Sequence, residues 1–201
     1  TQILIGTQII AKGLDFRNVG LSGIVSADVS LNIPDFRSPE RTFQLITQAA
    51  GRAGRGDSQG HVVIQTYSPE HYAVAFASQH DYKGFFETEK QLRAYMGYPP
   101  YSDLFQIVFT AKREDAAKDG AESWYERIRG RMAREDQEMV FPPQQAYLGK
   151  IKDIYRYSML IKCPQGRRAE YSRIVAVREE DIEKKKKDYT AIVDINPYSF
   201  I

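Results

Sequence analysis

The sequence predicts an α/β protein in which a partial parallel sheet is followed by a small α+β domain. Apolar runs alternate with helical segments in the first part of the chain, as in parallel strands joined by crossover helices. The segment Gly-Tyr-Pro-Pro at 97–100 ends that part with a stop signal. Beyond it, the patterns follow in the order β-α-β-α-β, which indicates a sheet with helices on one side. We therefore expect a first domain at 1–79, a connecting helix and hinge at 80–100, and a second domain at 101–201.

Three short apolar runs predict the strands of the parallel sheet, at 3–5, 21–25 and 62–66. The first is a continuous aliphatic run, which is typical of a parallel strand buried on both faces. Polar residues follow the first two runs, at the strand ends where open α/β sheets bind ligands. Between the second and third strands a helix is expected at 41–51, with Ser38 as its N-cap and Pro39 as its first residue.

From residue 80 onward the chain contains three helical patterns and three strand patterns. Helices are predicted at 80–96, 116–135 and 168–187, and strands at 103–112, 157–163 and 191–195. Residues 184–187 are all lysine and come at the end of the last helix, where the helix dipole favours cations. A solvated helix end is the simplest interpretation of that run.

Composition places the chain among ordinary globular proteins, with 201 residues of which 42% are hydrophobic and 27% charged. No apolar run approaches the roughly 20 residues that span a bilayer, and no signal peptide is visible. The single cysteine, Cys163, excludes an internal disulfide and a cysteine-based zinc site, and it favours a cytoplasmic location. The three histidines are spaced too irregularly to predict a metal site. Thr1 directly precedes the first apolar run, which suggests a piece of a longer chain.

Basic residues and tyrosines are concentrated at 147–173, where seven basic side chains and four tyrosines accompany two acidic ones. Such a mixture is typical of a surface that follows a nucleic-acid backbone and stacks its bases, and Lys152, Tyr155 and Arg156 are the candidate contacts. In an extended segment Tyr155 and Tyr157 share one face, whereas Arg156 points to the other. The alternative is that the tyrosines pack in the domain's own core beneath a solvated basic face.

Two arginines flanked by glycines form the most informative motif, Gln48-Ala49-Ala50-Gly51-Arg52-Ala53-Gly54-Arg55-Gly56. An arginine clamps phosphate well because its planar guanidinium donates several fixed, always-charged hydrogen bonds. At a spacing of three residues both arginines are expected on one helix face, and the small residues between them allow a partner surface to approach. The alternative interpretation is a glycine-rich turn with solvated arginines.

The arginine motif resembles the last motif of superfamily 2 helicases, Q-x-x-G-R-x-G-R, and residues 3–16 resemble their motif V. Motif V has the spacing T-x-x-x-x-x-G-x-D, which Thr7, Gly13 and Asp15 match. Over essentially the whole chain, further stretches resemble the primosomal protein N′ family, the replication-restart DNA helicases of bacteria. They include Asp35-Phe36-Arg37-Ser38, Gly97-Tyr98-Pro99-Pro100-Tyr101, Lys152-Asp153-x-Tyr155-Arg156-Tyr157 and Val193-Asp194-Ile195-Asn196-Pro197.

The resemblance implies that the first domain is the rear half of the second, RecA-like helicase lobe. Arg55 is then the first choice for an arginine finger on the γ-phosphate of ATP, and Arg52 is the second. Gln48 would orient the attacking water or touch the γ-phosphate, and Gly13 and Asp15 would face the nucleotide.

The same resemblance implies that Thr7, Gln8 and Lys12 contact the DNA strand, and that Asp15 and Asp28 couple those contacts to the nucleotide cleft. Two of these residues have structural alternatives. Lys12 is otherwise a surface lysine, and Asp28 is otherwise the N-cap of the segment that follows it.

Cofactors and partners follow from the family as well. ATP and magnesium are expected in the full-length protein, but no G-x-x-x-x-G-K-[ST] motif occurs here, so this chain alone is predicted to be inactive. The family's zinc-binding cysteines lie upstream of the matched region. The expected function is ATP-dependent 3′–5′ unwinding in replication restart, with branched DNA, single-stranded DNA, single-stranded-DNA-binding protein and primosome proteins as partners. The alternative is a nonenzymatic module that binds branched DNA or partner proteins.

Overall fold

Two separate β-sheets, one parallel and one antiparallel, organise the mixed α/β chain. The computed structural model describes residues 2–7, 19–53, 60–176 and 188–200. Their contacts divide them into two units, which we call unit 1 (Thr1–Leu92) and unit 2 (Arg93–Ile201). Each unit has its own hydrophobic core.

Unit 1 is built on a parallel pair of strands, β1 (Leu21–Ile24) and β2 (His61–Ile64), with Leu21 opposite His61. The short helix α1 (Asp28–Leu31) and the helix α2 (Ser38–Ala50) connect them. The helix α3 (Tyr72–Ser78) follows, and α4 (Tyr82–Met96) begins in unit 1 and ends in unit 2. Phe43 of α2 stacks on Phe85 of α4 at 4.2 Å between ring centres, so apolar side chains from the helices form most of this core.

The predicted strands at 21–25 and 62–66 are confirmed to within two residues, but the strand at 3–5 is wrong. Residues 2–7 have no regular structure, and the side chain of Ile5 is 89% exposed. A buried parallel strand needs neighbouring strands for its backbone hydrogen bonds and cover on both faces. Within the described residues β1 pairs only with β2, so the aliphatic run lacks such a neighbour.

The helix expected at 41–51 begins earlier, at Ser38, and Arg37 rather than Ser38 is its N-cap. The Ser38 hydroxyl donates a hydrogen bond to the carbonyl oxygen of Ile33 at 2.6 Å, so it ties the first turn of the helix to the loop before it. Helix α3 was not predicted. Its first turn is capped by His71, whose Nδ1 accepts a hydrogen bond from the Ala73 N–H at 3.2 Å.

Unit 2 contains a four-stranded antiparallel sheet in the order β4-β5-β3-β6. Its strands are β3 (Ser102–Ala111), β4 (Gln144–Ile151), β5 (Ile154–Pro164) and β6 (Tyr189–Ile195). The helices are α5 (Glu114–Arg131) and α6 (Arg168–Val175), with a 3-10 helix at Arg134–Met139. The strands predicted at 103–112, 157–163 and 191–195 are confirmed, whereas β4 was not predicted.

The core of unit 2 lies on the face of the sheet that the helices cover. Phe105, Ile107 and Phe109 alternate along β3 and are fully buried. Trp124 of α5 meets Phe109 edge to face, with ring centres 5.6 Å apart. The sole cysteine, Cys163, is buried in the same core, and burial raises the pKa of its thiol to about 11.

The last predicted helix, at 168–187, is confirmed over Arg168–Val175, where α6 ends, and Ala176 is extended. Tyr171 and Val175 anchor α6 in the core, and the sequence after them is almost entirely charged, so packing no longer supports a helix at Ala176. The lysine run at 184–187 lies outside the described residues. Among the helices that are described, none is long and apolar enough to cross a membrane.

Candidate functional site

The arginine motif begins at the carboxyl end of α2. The helix ends at Ala50, so Arg52 lies in the turn that follows, with its N–H donating to the Ala49 carbonyl at 3.2 Å. The expectation that the arginines share a helix face is therefore wrong for Arg52. Ala49 and Ala50 are buried, Gln48 is exposed and Arg52 is half-buried. The alanines thus anchor the helix end while Gln48 faces solvent.

Several predicted site residues lie outside the described part of the chain: Gln8, Lys12, Gly13, Asp15 and Arg55. Thr7 is described and exposed, in a segment without regular structure. The roles expected for these six residues stay predictions.

Asp28 joins the carboxyl ends of the two parallel strands. Its carboxylate accepts hydrogen bonds from the Thr66 hydroxyl at 2.9 Å and from the Tyr67 N–H at 3.1 Å. Asp28 is the first residue of α1 and Ala27 is the N-cap, so the alternative reading of Asp28 as a cap is wrong. Asp28 therefore lies at the carboxyl ends of β1 and β2, whereas Arg52 follows α2, before the chain enters β2 at its amino end.

An ion cluster at the amino end of α2 was not predicted. The Asp35 carboxylate is fully buried and accepts hydrogen bonds from the Arg37 backbone N–H at 3.0 Å and from the Arg37 guanidinium at 3.1 Å. The guanidinium of Arg41, one turn along, lies 3.2 Å from the same carboxylate. A carboxylate at this end also complements the helix dipole. The cluster therefore fixes the start of the helix that carries Gln48.

In unit 2, much of the basic stretch at 147–173 is engaged in internal contacts. Arg167 donates two hydrogen bonds to the Asp136 carboxylate, at 2.8 and 2.7 Å, and lowers the pKa of that carboxyl. Arg168 does the same to Asp103, at 3.0 and 2.5 Å. The Lys162 ammonium donates to the Met96 carbonyl at 2.5 Å, and burial lowers its pKa. The exposed positive surface is thus smaller than the sequence indicates.

The tyrosines of this stretch divide between core and surface. Tyr171 is fully buried, so the core interpretation holds for it, and burial raises its pKa to about 12. Tyr157 packs against the core and donates its hydroxyl hydrogen to Glu114 at 3.2 Å. Tyr147, by contrast, is 56% exposed.

Lys152, Tyr155 and Arg156 lie together on the hairpin formed by β4 and β5. Lys152 and Asp153 have positive φ angles of 48° and 63°, as in the two-residue turns that match strand twist, so Lys152 lies at the tip. The Lys150 ammonium lies 4.8 Å from the ring centre of Tyr155. Arg156 falls on the opposite face of β5 and donates to the Leu148 carbonyl at 3.4 Å.

The sequence also gave no indication of a large bulge in β4. Gln145 pairs with Tyr157 and Lys150 pairs with Tyr155, so the four residues 146–149 lie opposite Arg156 alone. Ala146 is buried, whereas Tyr147 and the residue after it are exposed. Extra residues break the alternation by which strands are recognised. Periodicity therefore gave no signal for β4.

A shallow depression adjoins the hairpin where the first turn of α5 faces β5. It is lined by Lys112, Arg113, Glu114, Asp115, Lys118, Tyr155 and Tyr157. Arg113 pairs with Asp115, which raises the pKa of the guanidinium and lowers that of the carboxyl. Both charge signs line the depression, so it does not favour an anion. In the described part of the chain, no group of three or more His, Cys, Asp or Glu side chains could hold a metal ion.

Comparisons with known proteins all identify the same protein family. Residues 94–198 match the family described as the primosomal protein N C-terminal domain. The replication restart protein PriA of Bacillus subtilis is 42% identical over 200 residues, which cover 98% of this chain and 24% of that protein. PriA of Borreliella burgdorferi is 35% identical over 196 residues, covering 98% and 29%, and that of Thermotoga maritima is 38% identical over 160 residues, covering 80% and 21%. The chain thus spans about a quarter of the length of these relatives.

Proposed function

Because this chain belongs to the primosomal protein N C-terminal domain family, we propose that it serves replication restart as the carboxyl-terminal part of an ATP-dependent DNA helicase. In this proposal unit 1 is the rear half of a RecA-like lobe, and unit 2 binds DNA. The relatives are replication restart proteins, and unwinding with 3′–5′ polarity is the activity proposed for the whole protein.

The position of Gln48 and Arg52 at the carboxyl end of α2 is the observation that supports the helicase part of this proposal. Helix α2 connects the parallel strands β1 and β2, with Gln48 in its last turn and Arg52 just after its end. Its last two residues, both alanine, are buried, whereas Gln48 is exposed. An arginine in such a position can stabilise negative charge that develops on a γ-phosphate, and a glutamine can orient the attacking water. Arg55 completes the proposed set as the first-choice finger.

These residues fit the γ-phosphate end of ATP but not the rest of a nucleotide site. The sequence has no G-x-x-x-x-G-K-[ST] motif to cradle phosphates and place magnesium, so another lobe must hold them. ATP supplies the transferable phosphoryl group. The single cysteine cannot form a cysteine-based zinc site, so the zinc of the full-length protein is proposed to be bound outside this chain.

The test is DNA-dependent ATP hydrolysis by the full-length helicase that carries this chain. Arg55→Ala and Arg52→Ala should lower kcat, by about 10³- to 10⁵-fold for the finger, while DNA affinity is retained. Lys83→Ala, at an exposed lysine of α4, is the matched control. An unchanged kcat in both arginine variants would refute the assignment. Hydrolysis by the 201-residue chain alone would refute the division of the site between lobes.

A second candidate function, nonenzymatic binding of branched DNA, is favoured by the β4–β5 hairpin. Lys152, Tyr155 and Arg156 lie within five residues there, next to an edge strand of the sheet. Binding by such contacts should weaken steeply with salt, and Arg156→Ala should reduce the slope of log K against log salt by about 1. The two functions are compatible in one protein. Contacts with single-stranded-DNA-binding protein and other primosome proteins belong to the same proposal.

A further inference from the structure

The exposed tyrosine of the β4 bulge suggests how the hairpin recognises nucleic acid. We propose that Tyr147 is a stacking platform for an unpaired base, with Arg156, Lys150 and Lys152 contacting the phosphates beside it. The inference rests on the proposed DNA binding of unit 2 and names a ligand feature, a single-stranded segment, that the binding surface selects.

Of the four tyrosines in the basic stretch, Tyr147 has the most accessible ring. Tyr171 is fully buried, and Tyr157 is held against the core by its hydrogen bond to Glu114. The ring of Tyr155 already faces the Lys150 ammonium at 4.8 Å. A base needs an open aromatic face for stacking, and Tyr147 is 56% exposed. The stacking role therefore moves from Tyr155, the sequence candidate, to Tyr147.

The bulge holds Tyr147 in this position. Its residues 146–149 lie opposite Arg156 alone, and the buried Ala146 anchors the start of the bulge. A Cβ at Gly149 would lie only 2.6 Å from the side-chain amide of Gln145, so the exposed Gln145 side chain packs closely over this glycine. Arg156 donates to the Leu148 carbonyl within the bulge. Bulges commonly redirect a side chain next to a functional site.

Basic residues flank this tyrosine along the same hairpin. Arg156 lies directly opposite the bulge, while Lys150 and Lys152 follow it toward the turn, where Asp153 is the one acidic residue. The ion pair between Lys150 and Asp153, at 3.1 Å, is exposed and costs little to exchange for a phosphate. An aromatic face beside arginine and lysine suits a flexible strand, because the backbone is held electrostatically while any base can stack.

The first experiment compares three labelled DNAs of matched length: a single strand, a fork with a single-stranded arm and a blunt duplex. Binding of the 201-residue chain is measured by fluorescence anisotropy at several salt concentrations. Tyr147→Ala should weaken binding to the single strand and the fork by between about 5-fold and 150-fold, and should leave duplex binding unchanged. The salt slope should not change, because no charge is lost. Tyr147→Phe should retain the affinity.

The matched controls separate stacking from charge and from general surface effects. Arg156→Ala should weaken binding to all three DNAs and reduce the salt slope by about 1. Tyr198→Ala removes another exposed tyrosine of unit 2, 90% exposed, and should change nothing. An equal loss for Tyr147→Ala on duplex and single strand, or an equal loss for Tyr198→Ala, would overturn the stacking role.

A second measurement detects the contact directly. The only tryptophan, Trp124, is buried in the core and provides a constant background. Indole emission of Tyr147→Trp should be quenched by oligo(dT) at the stoichiometry of binding, whereas Tyr198→Trp should not respond. If wild type binds DNA and position 147 is silent in both assays, this inference fails and the proposed function stands. If wild type binds none of the three DNAs, the proposed DNA binding of unit 2 fails together with this inference.

Discussion

Unit 1 and unit 2 differ in how completely their own residues cover their sheets. Within the described residues, the parallel pair of unit 1 leaves Leu21 62% exposed and Val63 57% exposed. In unit 2 every inward residue of the central strand β3, from Phe105 to Phe109, is fully buried. Parallel strands need cover on both faces, whereas an antiparallel sheet needs it on one. Two helices therefore suffice for unit 2, and the described helices of unit 1 do not suffice for its strands.

Removing a central phenylalanine from each core should show this difference most strongly. Phe109→Ala should destabilise unit 2 by about 3–5 kcal/mol, since its ring is fully buried against Trp124. Phe43→Ala in unit 1 should cost less, about 3 kcal/mol at most, because one of its ring neighbours, Tyr82, is itself largely exposed. Urea unfolding followed by circular dichroism measures both. Equal losses would remove the proposed difference between the cores.

Hydrogen exchange tests the same difference strand by strand. Amides of β3, which is paired on both sides, should exchange at least about 100-fold more slowly than those of β1, which corresponds to about 2.8 kcal/mol. The edge strand β6 is the internal comparison and should fall between them. Similar protection of β1 and β3 would show that unit 1 is as stable as unit 2.

The two units should also lose stability in different pH ranges. Burial lowers the pKa of His71 in unit 1, so its neutral form stabilises the fold above pH 6.5 and that stability is lost as the pH falls below 6.5. A protonated imidazole cannot accept the Ala73 hydrogen bond, and loss of such a cap costs roughly 1 kcal/mol. The nearby Glu89 favours the proton and only partly offsets the effect of burial.

In unit 2 the corresponding groups are carboxylates. Arg167 and Arg168 lower the pKa values of Asp136 and Asp103, so the stability that these pairs contribute is present above about pH 4 and is lost only as the pH falls further. Thermal unfolding between pH 3 and 8 measures both windows. His71→Asn keeps a cap acceptor and should abolish the window near pH 6, while Asp136→Asn should reduce the acid one. If both units lost stability in the same pH range, the assignment of the two ranges to His71 and to the carboxylates would be contradicted.

The smallest effect is expected at the hairpin turn. Asp153→Gly should stabilise unit 2 by up to about 1 kcal/mol, because glycine adopts the positive φ of 63° without strain. The exposed pair with Lys150 contributes little that would be lost. Asp153→Ala removes the same carboxylate but keeps the strain, so it should not raise the melting temperature. A gain in the alanine variant would assign the effect to charge instead.

Apolar runs and helical periodicity made most of the fold predictable, and irregular local geometry limited the rest. The strands β3, β5 and β6 are apolar runs bounded by polar segments and were predicted, whereas the bulge at Tyr147 interrupts β4. Helix α3 has only seven residues, too few for a clear helical period. The N-cap was misplaced by one residue because Ser38 bonds to Ile33, a contact that depends on the loop before the helix.

The candidate site was predictable in composition but not in arrangement. The sequence located Lys152, Tyr155 and Arg156, which do share one hairpin. It could not show that Arg167 and Arg168 are held by carboxylates 31 and 65 residues away, because such pairs depend on the tertiary fold. The number of basic residues at 147–173 therefore overestimated the exposed basic surface. The number of tyrosines there did not distinguish the exposed Tyr147 from the buried Tyr171.

The burial of Cys163 gives the molecule a built-in reporter of its own opening. A thiol with a pKa of about 11 inside the core is almost entirely protonated at neutral pH and shielded from maleimides and disulfide reagents. The rate at which Cys163 is modified therefore measures how often unit 2 opens, and no label has to be introduced. Because it is the sole cysteine, a second one engineered on the surface would be alkylated alone in the native protein. Dyes for distance measurements can thus be attached without first removing Cys163.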